Sequence, residues 1–312
     1  MTQAYKQPYK PLILSDTRML RSMCSPDNLP ILESLLEEEM AQQDRLRKLK
    51  KKTVHENLSE SKLEEALAET KGDVERFLGV DSLNIQPCKL QCTNESLSSY
   101  MHTLKESLSR SAEYFLKTNI TLLSTQALID VFARTSQTGE LPLLMYGITA
   151  AIASGMTLKH AMQLSKAPEY ISLEKRIKLP KLPRTDAMPI IAHEYAHHLQ
   201  GELIHPSKIT QYDLKAMLEG MSRGAERHIS HRLREKEDND LFLCGITKNT
   251  VQELKDTYAN LCRRLNSTPN ETLAKGAGRL SEHSIGNAYF CIEEAKNGKG
   301  VYRDALRSLM TE

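Results

Sequence analysis

Apolar residues recur at helical spacing along most of this chain. From Leu29 to Lys52 the text LPILESLLEEEMAQQDRLRKLKKK places Leu32, Leu35, Leu36 and Met40 on one face. Acids come first and bases last, which complements a helix dipole, so the pattern predicts a helix with a solvated basic end. The proline-bearing residues 1–30 before it read as an irregular lead-in. Residues 59–80, SESKLEEALAETKGDVERFLGV, read as two helical pieces, with a cap at Ser59 or Ser61 and a break at Gly72-Asp73. Residues 81–95 lack a period and carry Pro87, which suggests a boundary near 95. Residues 96–135 then read as two helices, and the small-residue stretch 141–166 as another that packs closely. After it Ile171, Leu173, Ile177 and Leu179 fall on alternate positions with one interruption, the best strand in the chain.

A turn, PRTDA, leads into MPIIAHEYAHHLQGEL. Asp186 is a candidate cap, Pro189 suits a first turn, and Ile190, Ile191, Ala192, Tyr195, Ala196 and Leu199 predict a largely buried helix. His193 and His197 lie four apart, so they project from one face, one turn above the other, and their imidazoles can converge on one ion. Glu194 sits on the flank of that face, beside the ion and not among its ligands. Zinc chemistry uses both parts, because the metal acidifies a water and a neighbouring carboxylate takes its proton. Burying three histidines and a glutamate for packing alone would be costly, so metal binding is the favoured reading of the motif.

Composition narrows the function classes. A chain of 312 residues with 40% apolar content can bury a sizeable core. The formal net charge of +2 demands neither a nucleic acid nor an acidic membrane as partner. Cys24, Cys88, Cys92, Cys244, Cys262 and Cys291 are too scattered for a disulfide framework, and the lone C-x3-C pair at Cys88 and Cys92 lacks the four ligands of a structural zinc site. No signal-peptide pattern opens the sequence, and the longest apolar run, 141–156, is shorter than the roughly 20 residues of a membrane span. A cytoplasmic protein with reduced thiols is the expectation, and export without such a signal stays open.

HEYAHHLQ resembles the active-site helix of zincin metallopeptidases. Gln200 and Leu203 stand where the metzincin branch has Gly and His, which leaves His205 as a minor third-ligand candidate and favours the gluzincin branch. There the third ligand is a Glu on a following helix, and KAMLEGMSRGAERHISHR, residues 215–232, is similar to that helix. The resemblance makes Glu219 the ligand, with Glu226 as its rival and Ser222 beside it. The sequence departs from the pattern at Leu218, where those families often place Asn, and at Arg223, where thermolysin-like members carry an acid. LSEHSIGNAYF is similar to the YxxG segment of small gluzincins, which makes His283 the oxyanion candidate; His228, His231 and Tyr289 are the other available groups. ALAETKGDVERFL is similar to the middle of a ubiquitin-associated module, where a Gly-Asp turn joins two helices.

The expectation is an α+β, predominantly helical fold. A zincin-like metallopeptidase domain over 96–312, with a small sheet and an active-site helix, would follow an N-terminal helical region over 1–95. His193, His197 and Glu219 would bind Zn2+, Glu194 would activate water, and a strand over 170–179 would edge the cleft for an extended peptide or protein substrate. No nucleic-acid partner and no membrane span are expected, and the N-terminal helices are a surface for a protein partner. The alternative is a non-catalytic zincin-like or helical protein-binding module.

Overall fold

Helices do most of the building, and each forms where an apolar stripe needs cover. The computed structural model describes residues 18–50, 56–81, 83–93, 169–171, 175–204 and 212–311. The helices expected over 96–135 and 141–166 lie outside these residues. The elements in order are α1 (Arg18–Met23), α2 (Asn28–Lys50), α3 (Glu60–Leu78), β1 (Lys89–Thr93), β2 (Glu169–Ile171), β3 (Arg176–Pro180), α4 (Arg184–Leu203), α5 (Tyr212–Glu237), a 3-10 turn (Asp240–Leu243), α6 (Cys244–Arg264), α7 (Glu271–Ala274), α8 (Glu282–Asn297) and α9 (Gly300–Thr311). The fold is thus α+β and predominantly helical, with a small three-stranded sheet in the order β1-β3-β2. Among the described residues no helix is long and apolar enough to cross a membrane.

The chain divides into two compact units, one of Met1–Gln91, Tyr170–Ile177 and Leu182–Glu312, the other of Cys92–Glu169 and Lys178–Lys181. The helices N-terminal to residue 95 therefore share the first unit with the helices that carry HEYAHHLQ and its partners. The reason is packing. Leu32 and Leu36 of α2 are fully buried against Val251, Leu254, Tyr258 and Leu261 of α6. The Tyr258 hydroxyl donates to Glu33 Oε1 at 2.6 Å, tying the two helices at a polar point. Leu63, Ala66, Thr70, Val74 and Leu78 form the buried stripe of α3, which packs on α4. There the Tyr195 hydroxyl donates to Glu75 Oε1 at 2.6 Å.

Four sequence expectations are corrected. α3 runs unbroken through Gly72, so neither the two-piece reading nor the Gly-Asp turn of a ubiquitin-associated module holds. Its stripe of buried residues continues past Gly72, and the helix ends at Gly79, whose φ of 70° suits glycine, in a Schellman turn with Val80 N–H on Glu75 carbonyl at 2.9 Å. The alternating stretch near 170–179 is two strands, β2 and β3, with Lys175 at positive φ before β3. Ile177 and Leu179 are buried as alternation predicts. β1 lies inside the aperiodic 81–95 segment, where only five residues were available to show a pattern. α4 also starts at Arg184, so Pro189 sits past the first turn and Asp186 lies within it, the N-cap position being Pro183.

The contact that positions the site is the crossing of α5 and α8. A Cβ at Gly286 would come within 1.9 Å of the Ala216 carbonyl oxygen, and one at Gly220 within 2.4 Å of the Gly286 carbonyl oxygen. The two backbones therefore touch. Gly286→Ala is expected to cost about 1–3 kcal/mol through overpacking, read from urea unfolding. Gly245→Ala, whose added methyl meets nothing within 4 Å, is the control that should leave the midpoint in place or raise it slightly.

Half-buried Glu39 on α2 gives a pH prediction. Burial pushes its pKa up from 4.5 to about 7, against the opposing charge of Arg227 and with help from Glu38. The unfolded carboxyl loses its proton first as pH rises, so this residue weakens the fold progressively between about pH 4.5 and 7. Glu39→Gln should raise the thermal midpoint relative to wild type at pH 7.5 and bring little gain at pH 4.5. An equal gain at both would remove Glu39 as the cause.

Candidate metal centre

Helix α4 is buried on nearly every side, and it uses two adjacent rows of its surface for polar work. His193 and His197 form one row, facing α5. Glu194 and His198 form the other, facing β2. On that second row Glu194 Oε2 accepts the Tyr170 backbone N–H at 2.8 Å, and His198 Nδ1 lies 3.0 Å from the Tyr170 hydroxyl. His198 Nε2 is 2.8 Å from the Gln86 carbonyl, which can only accept, so Nε2 carries the proton and Nδ1 accepts from Tyr170. The third histidine of the motif is thus a docking group for β2. Burial pulls its pKa below the ordinary value, consistent with a neutral ring.

On the first row the geometry is convergent. His193 Nε2 and His197 Nε2 are 3.2 Å apart. Glu219 Oε2, from α5, lies 3.5 Å from the former and 3.4 Å from the latter. A tetrahedral ion with bonds of about 2.0–2.1 Å has ligand edges of about 3.3–3.4 Å, so these three atoms already have the spacing of such a set. His283 Nε2, from the first turn of α8, stands 3.1 Å from the same oxygen, and its ring is parallel to that of His193 within 2°. Ligand atoms of His193, Glu219 and His283 all lie within 4.8 Å of one another and could hold a metal ion. Glu219 Oε2 is buried and yet accepts no hydrogen bond. An oxygen approached by three imidazole nitrogens off the hydrogen-bond direction has the donor set of a cation site.

The far sides of the rings fix the tautomers. His197 Nδ1 is 2.8 Å from Gln200 Oε1 and 3.3 Å from Ser222 Oγ. The Gln200 amide nitrogen donates to the Leu218 carbonyl at 2.9 Å and to Ser222 Oγ at 3.3 Å, which sets its oxygen toward His197. His197 therefore carries its proton on Nδ1 and offers the Nε2 lone pair to the cluster. His193 Nδ1 lies 3.2 Å from Glu226 Oε2, an oxygen that also takes Arg223 Nη1 at 2.6 Å. The two glutamates on α5 thus divide the work, with Glu219 on the inner nitrogens and Glu226 behind His193.

The electrostatics favour a cation. Burial alone would lower the pKa of His193, but the Glu219 and Glu226 carboxylates outweigh it and push it up to about 10. Burial likewise favours a neutral Glu219, but His193, His197 and His283 hold its carboxyl far below the usual range. Positive charge is wanted here, and a proton or a metal ion can supply it.

His228 stacks on Phe77 at 4.7 Å and His231 lines a cleft with Arg45 and Leu46, so neither joins the cluster. Tyr289 packs edge-on to Phe290 and borders the apolar core. His205 lies outside the described residues. All six cysteines are free thiols. Gln200, which the sequence offers only as a departure from the metzincin pattern, stands one helical turn after His197, where a ring partner belongs. No protein family, curated protein or solved structure matches the chain.

Proposed function

We propose that the chain is a zinc-dependent metallopeptidase of the zincin type, with the gluzincin arrangement of ligands. The observation that carries the reading is the buried, unsatisfied Glu219 Oε2 between the Nε2 atoms of His193, His197 and His283. His193, His197 and Glu219 would hold Zn2+, an ion suited to imidazole and carboxylate donors. Zinc bound there would supply a Lewis acid and a water of pKa near about 7. Glu194 is the residue to move the proton. Its Oε2 is engaged by the Tyr170 N–H, which fixes the carboxylate and leaves Oε1 to take the proton from the attacking water and return it to the leaving amine. His283 borders the same cluster and is the side chain to face a developing oxyanion. Among the described residues β2 lies at the end of the sheet, beside the helix, so an extended peptide fits better than a compact small molecule.

A non-catalytic zincin-like binding module is the second reading, and His283 favours it. A fourth protein donor would close the coordination sphere, as structural zinc sites do.

Elemental analysis of the purified chain is expected to give about one zinc per molecule, lost in His193→Ala and in Glu219→Ala with the helical content retained. Glu194→Gln should keep the zinc and lower cleavage of an unstructured peptide library by about 100-fold or more. Zinc without any cleavage by the wild type would select the non-catalytic zincin-like module, and absence of zinc after reconstitution would end both zinc readings and leave a helical protein-binding module.

A further inference from the structure

Behind His193 the polar interior continues across three helices. Glu226 Oε2, 3.2 Å from His193 Nδ1, accepts from Arg223 Nη1 at 2.6 Å. Arg223 grips Glu253 of α6 through Nη2 at 2.9 Å and Nε at 3.1 Å, both on Oε1. The other oxygen of Glu253 accepts from Asn287 Nδ2 of α8 at 2.7 Å. Glu226, Glu253 and Asn287 are buried, and the Arg223 side chain is only 14% exposed. His193 Nδ1 is buried and has no in-line hydrogen bond, so Glu226 acts on the ring through its 3.2 Å approach and its charge.

A glutamate side chain has three rotatable bonds and orients a ring only if its own rotamer is held. Arg223 holds it. The guanidinium meets Glu226 on one side and Glu253 on the other, so neither Glu nor Arg can turn without leaving a buried charge unpaired. Asn287 then anchors Glu253 to the helix that also bears His283.

We propose that Arg223 and Glu253 are positioning residues, which fix Glu226 and through it His193, and so set how tightly the cluster holds a metal ion that neither residue touches. This rests on the zinc reading above. A purely structural network joining α5, α6 and α8 would predict something different: a less stable metal-free fold whose folded molecules bind zinc as before.

The test is zinc affinity of the full chain, measured by competition with a chromophoric chelator, alongside circular dichroism and the thermal midpoint of the metal-free protein. Glu253→Gln and Arg223→Lys are expected to weaken zinc binding by about 10- to 100-fold while remaining folded. The double variant should be no weaker than Arg223→Lys alone, since both act through one Glu226 oxygen. Wild-type affinity in the folded variants, with only a lowered thermal midpoint, would overturn the proposal and leave the zinc reading standing. A wild-type chain that takes up no zinc would overturn both. If the Arg223 variant fails to fold, Glu253→Gln decides, because it keeps the size of the side chain and removes only the charge.

Discussion

The bare crossing of α5 and α8 sets the rest of the centre. Gly220 and Gly286 let the two backbones meet without side chains between them. Glu219 is the neighbour of the first glycine, and His283 precedes the second by less than one turn. The crossing therefore fixes the 3.1 Å approach of His283 Nε2 to Glu219 Oε2 before any ion is considered. The same helix α5 packs against α4, which brings His193 and His197 to the other side of that oxygen. Three separate helices deliver their donors to one point because two of them touch at glycine.

Such a point is expensive to bury. A carboxylate in a low-dielectric interior is tolerable only when paired, and here Glu219 is surrounded by imidazoles, which are cationic only if protonated. Without other positive charge the cluster raises the proton affinity of His193 far above its ordinary value. The Arg223 guanidinium lies one position removed, already committed to Glu226 and Glu253. The centre thus favours positive charge at its middle, which a proton on His193 or a metal ion can supply, and is balanced at its edge.

The motif in α4 serves two purposes at once. Its histidine row addresses the cluster, and the adjacent row of Glu194 and His198 docks the β2 backbone and the Tyr170 side chain. The Glu194 carboxylate is therefore held by a strand amide, and its freedom depends on the sheet. This couples the chemistry proposed for Glu194 to the seating of β2, through contacts that a reading of the ligand spacing alone does not contain.

The helices α2 and α4 were legible in sequence, since their apolar residues repeat at helical spacing and that spacing is a local property. So was the pairing of His193 with His197, because one turn of helix fixes it. The continuity of α3 was less so: Gly72 looked like a break, yet packing of Val74 and Leu78 carries the helix past it. Strand β1 was hidden by its shortness. What only the tertiary structure decided was which glutamate meets the imidazoles. Glu219 and Glu226 lie seven apart on nearly the same face of α5, so helical spacing cannot separate them, and only a resemblance favoured Glu219. The depth at which α4 and α8 cross that face does, placing Glu219 among the Nε2 atoms and Glu226 against Nδ1 of His193. Periodicity determines what one helix presents, and only the distances between helices determine what it meets.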